Sequence, residues 1–109
     1  MKYSHAEYVP AFKAVSDETR LRIIDMLSCG EMCACDILEE FSISQSTLSY
    51  HMKILVDSGL VNAVRDGTWM RYTLSKKNTD AVISFLAQIT SDKEDCICKN
   101  SKCAPANAK

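Results

Sequence analysis

The segment CDILEEFSISQSTLSYHMKILVDSG, residues 35–59, predicts two helices joined by a tight turn. The first helix, over residues 35–41, is short, and three of its apolar side chains are expected to face inward: Ile37, Leu38 and Phe41. Ser44 suits the start of the second helix, because a serine oxygen accepts free N–H groups of the first turn, and Gly59 suits its end. Apolar residues recur at i, i+4 and i+7 on one face of this second helix: Leu48, Met52 and Leu55. A short helix, a tight turn and a longer helix form a helix-turn-helix.

Two further helices are predicted upstream of this motif. Residues 4–15 have loose helical spacing that is interrupted by Pro10. The segment SDETRLRIIDML follows, with Ser16 or Asp17 as its N-cap and acidic residues in the first turn, where the helix dipole favours them. This second helix is expected to end at the Cys29-Gly30 pair. Its expected buried face consists of Leu21, Ile24 and Leu27.

The periodicity changes downstream of the helix-turn-helix. LVNAVRDGTWMRYTL contains two strand-like runs around Asp66-Gly67, a pair that is typical of a two-residue hairpin turn. TDAVISFLAQIT returns to helical spacing, and its wide apolar face is formed by Val82, Ile83, Leu86 and Ile89. The order of elements predicts a mainly α (α+β) fold, a winged helix-turn-helix with a two-stranded β-hairpin wing, over residues 1–91. Residues 92–109 are predicted to be a flexible C-terminal tail that contains cysteines.

The composition is typical of one globular, cytoplasmic domain. Of 109 residues, 47% are apolar and 25% are charged, and no stretch approaches the roughly 20 apolar residues that span a bilayer. The N-terminal MKYSHAEYVPAF lacks the apolar region of a signal peptide. A reducing cytoplasm argues against stable disulfides among the six cysteines. An enzyme is not expected, because the sequence has no Ser/His/Asp set, no phosphate loop and no paired carboxylates in a plausible cleft.

The net charge of -1 conceals a basic segment. Residues 1–41 carry four Lys/Arg and eight Asp/Glu, whereas residues 42–77 carry five Lys/Arg and two Asp/Glu. An anionic polymer responds to the local positive field, so double-stranded operator DNA is the expected partner of the helix-turn-helix. Winged helices also serve as protein-binding modules. The basic segment and the polar face of the second helix favour DNA over that alternative.

Polar residues of the recognition helix and the wing are the candidate DNA contacts, because their side chains suit base edges and phosphates. The predicted DNA-binding residues are Gln45, Ser46, Thr47, Ser49, Tyr50 and Lys53 on the helix, and Arg65, Thr68 and Arg71 on the wing. Trp69 and Tyr72 are expected to pack within the wing, and His51 suits a polar contact and a structural role equally well. One domain presents one recognition helix, so tight binding requires a homodimer. The helix over residues 4–15 and the apolar face of the last helix are the candidate dimer surfaces.

Three of the six cysteines lie within CGEMCAC, residues 29–35. Residues two apart on a regular helix point about 200° apart, so Cys33 and Cys35 share one ion only if the first turn of the third helix is distorted. The C-x-C spacing differs from the C-x-x-C of thioredoxin-type redox enzymes. Cys29 could fold back as a third sulfur, and an all-thiolate set without nearby histidine favours soft ions over Mg or Ca. A small buried apolar cluster is the alternative, above all for Cys29.

The segment EMCACDI resembles the E-L-C-V-C-D-L metal box of the ArsR/SmtB family of metal-responsive repressors, in its arsenic-responsive type. SDETRLRIIDML, the recognition helix and the wing resemble the same family in order and spacing. The resemblance implies a homodimer that binds operator DNA when ligand-free and dissociates when a metal or metalloid binds. It also implies that Cys33 and Cys35 are the ligands, with Asp36 as a cap or surface residue.

Two departures from the family pattern affect the ligand set. Arsenic-responsive members often have a third thiol at the position of Leu38, so Cys29 or a tail cysteine must substitute here. The tail candidates are Cys96, Cys98 and Cys103. Members that sense zinc, nickel or cobalt use Asp and His ligands on the last helix, whereas this chain has Asp80 there and no histidine beyond His51.

The resemblance and the thiol set together predict a metalloid inducer. Three thiolates suit As(III) or Sb(III), which form pyramidal three-sulfur complexes, and Cd(II) or Pb(II) would take further sulfur from the tail. No organic cofactor is expected. Ligation is expected to distort the start of the third helix and so to shift the recognition helix behind it. The alternatives are a redox sensor whose thiols oxidise to a disulfide, and a thiol-rich metal chaperone that uses the winged fold as a scaffold.

Overall fold

The computed structural model of the chain describes residues 4–92, and all structural statements below concern this part. Helices and strands follow one another in the order α1 (His5–Ala14), α2 (Glu18–Leu27), β1 (Met32–Cys33), α3 (Ala34–Glu39), α4 (Gln45–Asp57), β2 (Val61–Asp66), β3 (Trp69–Leu74) and α5 (Lys76–Thr90). The helix α3, the turn and the helix α4 form the helix-turn-helix, and β2 and β3 form the wing. The predicted winged helix-turn-helix is therefore confirmed. Within the described residues, no helix is long and apolar enough to cross a membrane.

Polar side chains start three of the helices. Of the two caps proposed for α2, Asp17 is the one used, since its Oδ2 accepts the N–H of Arg20 at 3.0 Å. Ser44 starts α4 as predicted, because its Oγ accepts the N–H of Thr47 at 3.1 Å. Ser75 starts α5 in the same way. Each cap satisfies an N–H group that has no partner inside the helix, and these caps fix where α2, α4 and α5 begin.

The Asp17 cap gives a test of stability against pH. The hydrogen bond from the Arg20 N–H lowers the pKa of Asp17 below its ordinary value, so its stabilisation is present above about pH 4 and is lost as the pH falls through the folded pKa. We expect Asp17→Ala to lower the free energy of unfolding by about 1 kcal/mol at neutral pH. Urea titrations at neutral and acidic pH check this, with Asp17→Ser as the control that keeps a cap. If the difference in the free energy of unfolding between the wild type and Asp17→Ala grew on acidification, Asp17 would not be the cap described here.

The core is formed where α2, α3 and α4 pack against the base of the wing. Its members include Ile23, Leu27, Ile37, Leu48, Met52, Leu55, Leu60, Val61 and Tyr72. The predicted inward residues of α4 are confirmed, as is Ile37 on α3, whereas Leu38 and Phe41 are only partly buried. The prediction for α2 is wrong in part: Leu21 is 51% exposed and Ile23 is fully buried instead. Ile23 and Leu27 lie at i and i+4 on one face, and Leu21 is about 200° around the axis from Ile23.

The small sheet contains one strand more than the sequence predicts. β3 lies in the middle, paired antiparallel with β2 on one side and with the two-residue β1 on the other. Cys33 is the register partner of Arg71. The wing turn is also shifted by one residue, since Asp66 pairs with Trp69 and the turn consists of Gly67 and Thr68. Gly67 has a φ of +67° and Thr68 does not have a positive φ, which is the pattern of a type II′ hairpin turn.

Helices α1 and α5 lie together and leave apolar side chains exposed. Pro10 is accommodated inside α1. Tyr8 of α1 stacks on Phe85 of α5 with ring centroids 4.1 Å apart, and Phe85 is the buried residue of α5. Of the predicted apolar face of α5, Ile83 is 66% and Leu86 45% exposed. This exposed face keeps α1 and α5 as the candidate dimer surface.

Candidate functional site

Cys33 stands at the junction of strand β1 and helix α3. It ends the strand with extended backbone (φ -77°, ψ 149°) and is also the N-cap of α3. Its Sγ accepts the backbone N–H of Cys35 at 3.2 Å. The side chain is buried, whereas that of Cys35 is partly exposed. Cys33 is therefore held by the strand and Cys35 by the first turn of the helix.

The two sulfur atoms meet. The Cα atoms of Cys33 and Cys35 are 5.3 Å apart, and the structure joins the side chains in a disulfide. The sequence predicted no stable bridge in a reducing cytoplasm, whereas the structure brings this pair within bonding distance. The assumed 200° divergence does not apply, because Cys33 precedes the helix and only Cys35 lies in it. A disulfide leaves no thiolate for a metal, so ligand binding requires the reduced pair.

A carboxylate completes a group of three possible donors. The sulfur atoms of Cys33 and Cys35 and an oxygen of Asp36 all lie within 4.8 Å of one another. Asp36 is exposed, as expected for a surface residue, but its carboxylate is near enough to the sulfurs to act as a donor. Two thiolates dominate the set, and thiolate ligands select soft ions. The donor chemistry therefore fits a thiophilic metal or metalloid.

Cys29 lies apart from this group. It is an exposed free thiol that follows α2, and it lines a groove with Met26, Gly30, Glu31, Met32 and Glu40. It does not belong to the group formed by Cys33, Cys35 and Asp36, so its predicted role as third ligand would need a rearrangement of residues 29–32. The other predicted donors, Cys96, Cys98 and Cys103, lie outside the described residues.

The predicted DNA-contacting side chains of α4 lie on its exposed face. Gln45, Ser46, Thr47, Ser49, Tyr50 and Lys53 are all exposed, whereas Leu48, Met52 and Leu55 of the same helix are buried. Ser46 and Thr47 are also held locally, since their hydroxyl oxygens lie 3.1 and 3.0 Å from Ser44 Oγ. The exposed face of α4 is thus available to a partner, with its first turn fixed by the cap.

A cleft separates the start of α4 from the wing. It is lined by Ala34, Gln45, Leu48, Ser49, Arg65, Thr68, Trp69, Met70 and Tyr72. Four of the predicted DNA-binding residues meet there, two from the helix and two from the wing. Ala34, the residue between the two cysteines, lines the same cleft. The thiol pair and the proposed DNA-binding surface are therefore neighbours, as expected for a recognition helix that lies behind the start of the third helix.

Two of the three predicted cationic contacts are paired with carboxylates. Lys53 Nζ lies 3.1 Å from Asp57, and Arg71 Nε donates to Asp66 at 2.7 Å. The hydrogen bond and charge of Asp66 raise the pKa of Arg71, and the charges of Glu31 and Asp36 add to this effect. Arg65 is exposed and forms no ion pair within residues 4–92. It is consequently the predicted cation that is most available to a phosphate.

The structure also shows where the two predicted packing residues of the wing and His51, whose role the sequence left open, are located. Tyr72 is buried in the wing as expected, and this burial raises the pKa of its phenol. Trp69 lines the cleft and stays partly exposed. The His51 side chain is only 12% exposed, and its Nδ1 lies 3.0 Å from Arg20 Nη1, which supports a structural role. Sequence reasoning missed Arg20, because its partner lies 31 residues away.

Comparisons with known proteins agree with this architecture. The family described as "Bacterial regulatory protein, arsR family" matches residues 17–63. The chain is 48% identical over 99 residues to the arsenical resistance operon repressor of Staphylococcus aureus, covering 91% of this chain and 95% of that protein. HlyU from Vibrio cholerae superposes with a TM-score of 0.67 at 33% identity, covering 83% of this chain and 98% of that one. A homodimeric winged helix-turn-helix DNA-binding domain from Mycobacterium bovis, a possible ArsR-family regulator, gives a TM-score of 0.65 at 25% identity, with coverages of 78% and 79%.

Proposed function

Because the chain belongs to the ArsR family of bacterial regulatory proteins, we propose that it represses an arsenical resistance operon and releases its operator when As(III) or Sb(III) binds Cys33 and Cys35. The chain is a DNA-binding transcriptional repressor and not an enzyme. It acts in the cytoplasm as a homodimer on double-stranded operator DNA. The homodimeric relative from Mycobacterium bovis supports this assembly, as does the exposed apolar face of α1 and α5.

The observation that carries the proposal is the position of the thiol pair. Cys33 and Cys35 flank Ala34, which lines the cleft between α4 and the wing. Cys33 also lies in the strand that pairs with β3, opposite Arg71. A ligand that changes the sulfur geometry therefore acts on the recognition helix and on the wing at the same point.

In the reduced protein the pair supplies two thiolates to the metalloid. Each As–S bond forms as a thiol replaces a hydroxyl group of arsenite, which leaves as water. The third donor is Cys29 or a tail cysteine, Cys96, Cys98 or Cys103, because a soft centre prefers sulfur to the Asp36 oxygen. Bringing a third sulfur to this site pulls on β1 and on the first turn of α3. The shift is transmitted across β1 and β3 to the wing.

DNA release by metal ions tests the function directly. The probe is a duplex that the reduced, metal-free protein selects from a random-sequence pool, called the selected duplex below. We expect As(III) and Sb(III) to release it at lower concentrations than Cd(II), Pb(II) or Zn(II), measured by fluorescence anisotropy. Release by Cd(II) or Pb(II) at a lower concentration than by As(III) and Sb(III) would identify that ion as the inducer instead. Failure of every ion to release the duplex from the reduced protein would exclude an ion-responsive repressor.

An enlarged side chain at Ala34 is expected to imitate the inducer. Ala34→Phe places extra volume in the cleft and separates α4 from the wing, and such overpacking costs about 1–3 kcal/mol. We expect affinity for the selected duplex to fall about tenfold without metalloid, since about 1.4 kcal/mol corresponds to that factor. Ala34→Ser is the matched control and retains affinity. If a folded Ala34→Phe protein kept the wild-type affinity, the geometry of the cleft would not control DNA binding.

A second candidate function rests on the Cys33–Cys35 disulfide. In this alternative the repressor responds to an oxidant, which removes two electrons and two protons from the thiols as the disulfide forms. Comparing oxidised and reduced protein on the selected duplex, both free of metal, separates the two functions. Loss of DNA binding on oxidation alone, with restoration by a reductant, would assign the redox function.

A further inference from the structure

A polar cluster outside the thiol site connects α2 to the recognition helix. Arg20 donates from Nε to the carbonyl oxygen of Ala14 at 2.7 Å and from Nη1 to His51 Nδ1 at 3.0 Å. Asp17 Oδ2 lies 3.9 Å from the same histidine nitrogen and accepts the backbone N–H of Arg20. The end of α1, the start of α2 and the middle of α4 therefore meet at the Arg20 guanidinium.

The direction of the hydrogen bond fixes the state of the imidazole. A guanidinium can only donate and stays protonated at any pH of interest, so His51 Nδ1 must accept with its lone pair. The imidazole is then neutral, and its proton lies on Nε2. This tautomer follows from the partner of the other ring nitrogen.

Protonation of His51 is incompatible with this arrangement. A proton on Nδ1 would face the donor group of Arg20 across 3.0 Å, with two like charges in contact. Asp17 is the only carboxylate within 4.0 Å of His51 among the described residues, and it is already engaged as the cap of α2. The charged imidazolium would take Asp17 as its partner and give up Arg20.

The remaining charged and titratable groups around the cluster do not offer Arg20 a replacement acceptor of the same kind. Tyr50, the neighbour of His51 on α4, meets the imidazole edge-on with ring centroids 5.3 Å apart. Lys13 and Asp57 line a groove together with Arg20. Asp57 is paired with Lys53 at 3.1 Å, so its carboxylate already has a partner.

We propose that Arg20 and neutral His51 are positioning residues that hold the recognition helix in the orientation for sequence-specific DNA binding. We further propose that protonation of His51 in acid breaks the Arg20–His51 hydrogen bond. The proposal rests on the DNA-binding function proposed above. His51 does not read the DNA itself, because its side chain is mostly buried and faces α2. Loss of the Arg20–His51 hydrogen bond leaves the other charges of α4 in place. Sequence specificity therefore falls, while non-specific attraction to phosphates persists.

The test compares affinity for the selected duplex with affinity for an unrelated duplex, using the reduced full chain at about pH 7.5 and about pH 5.5, which spans the range where imidazole groups can change charge. In the wild type we expect the ratio of the two affinities to fall about fivefold on acidification, corresponding to about 1 kcal/mol. His51→Gln keeps a neutral acceptor for Arg20 and has no ionisable ring, so its ratio should be nearly the same at both pH values. His5→Gln removes the other histidine of the chain and should keep the wild-type pH dependence.

Two further measurements separate positioning from a general structural role. Nitrogen-15 NMR of the histidines should show His51 Nδ1 without a proton at the higher pH. Arg20→Lys keeps the charge but loses the planar donor geometry, and should lower the specificity ratio at the higher pH. A proton on Nδ1 at the higher pH, or the same acid loss of specificity in wild type and His51→Gln, would overturn the proposal. Failure of the wild type to prefer the selected duplex at any pH would instead overturn the DNA-binding function.

Discussion

Replacing Cys33 by serine is expected to abolish the response to As(III) while DNA binding by the metal-free protein is retained. Allosteric couplings of about 1–3 kcal/mol change affinity about 5- to 150-fold. We therefore expect As(III) to weaken wild-type binding to the selected duplex within this range, and to change that of Cys33→Ser less than twofold. The measurement is an anisotropy titration of the reduced proteins with and without As(III).

Serine is the appropriate substitute because of what Cys33 does in the fold. Its sulfur accepts the N–H of Cys35 and starts α3, and a serine oxygen is a better cap than most side chains. The variant therefore loses the thiolate and keeps the helix start. An As(III) response of wild-type size in Cys33→Ser would remove Cys33 from the ligand set.

The same titration distinguishes the third donors. Cys29→Ser is expected to raise the As(III) concentration needed for release by less than Cys33→Ser does, because Cys29 lies outside the group formed by Cys33, Cys35 and Asp36. A protein with serine at Cys96, Cys98 and Cys103 tests the tail. Asp36→Asn is the control for the carboxylate, and a full loss of response in it would identify an oxygen ligand where sulfur is expected.

The sequence predicted the helices of this fold well, since their signals are local. Ser44 as a cap and the spacing of Leu48, Met52 and Leu55 specify α4 within a few residues of chain. The two-residue strand β1 left no such signal, because so short a segment has no period and forms only by pairing with β3. The wing turn shifted by one residue because Gly67 alone supplies the positive φ of a type II′ turn.

The sequence identified Cys33 and Cys35 as candidate ligands, but it did not indicate the geometry in which the structure holds them. The C-x-C motif marked Cys33 and Cys35, yet their meeting depends on β1, which holds Cys33 in extended backbone before the helix begins. The same strand brings Cys33 opposite Arg71 and Ala34 into the cleft. Cys33 and Arg71 lie more than thirty positions apart along the chain, and no local pattern of residue types specifies their pairing.

Arg65→Ala is expected to weaken DNA binding more than Lys53→Ala or Arg71→Ala. Lys53 and Arg71 must give up Asp57 and Asp66 to contact a phosphate, whereas Arg65 is exposed without an ion pair in the described chain. We expect a loss of about tenfold for Arg65→Ala, or about 1.4 kcal/mol, and a smaller loss for each of the others. The measurement is the affinity for the selected duplex at several salt concentrations.

The salt dependence tells whether Arg65 contacts phosphate. Each neutralised phosphate contributes about 0.9 to the slope of log affinity against log salt, and the proposed homodimer would present Arg65 twice. Arg65→Ala should therefore reduce the slope by about 2 if both copies bind phosphate. The matched double variant Arg71→Ala with Asp66→Ala removes both charges of the paired site, so its slope should stay closer to that of the wild type. An unchanged slope in Arg65→Ala would show that the arginine does not contact phosphate. A relaxed sequence preference in the same variant would then identify a contact with a base edge, and an unchanged preference would place Arg65 off the DNA.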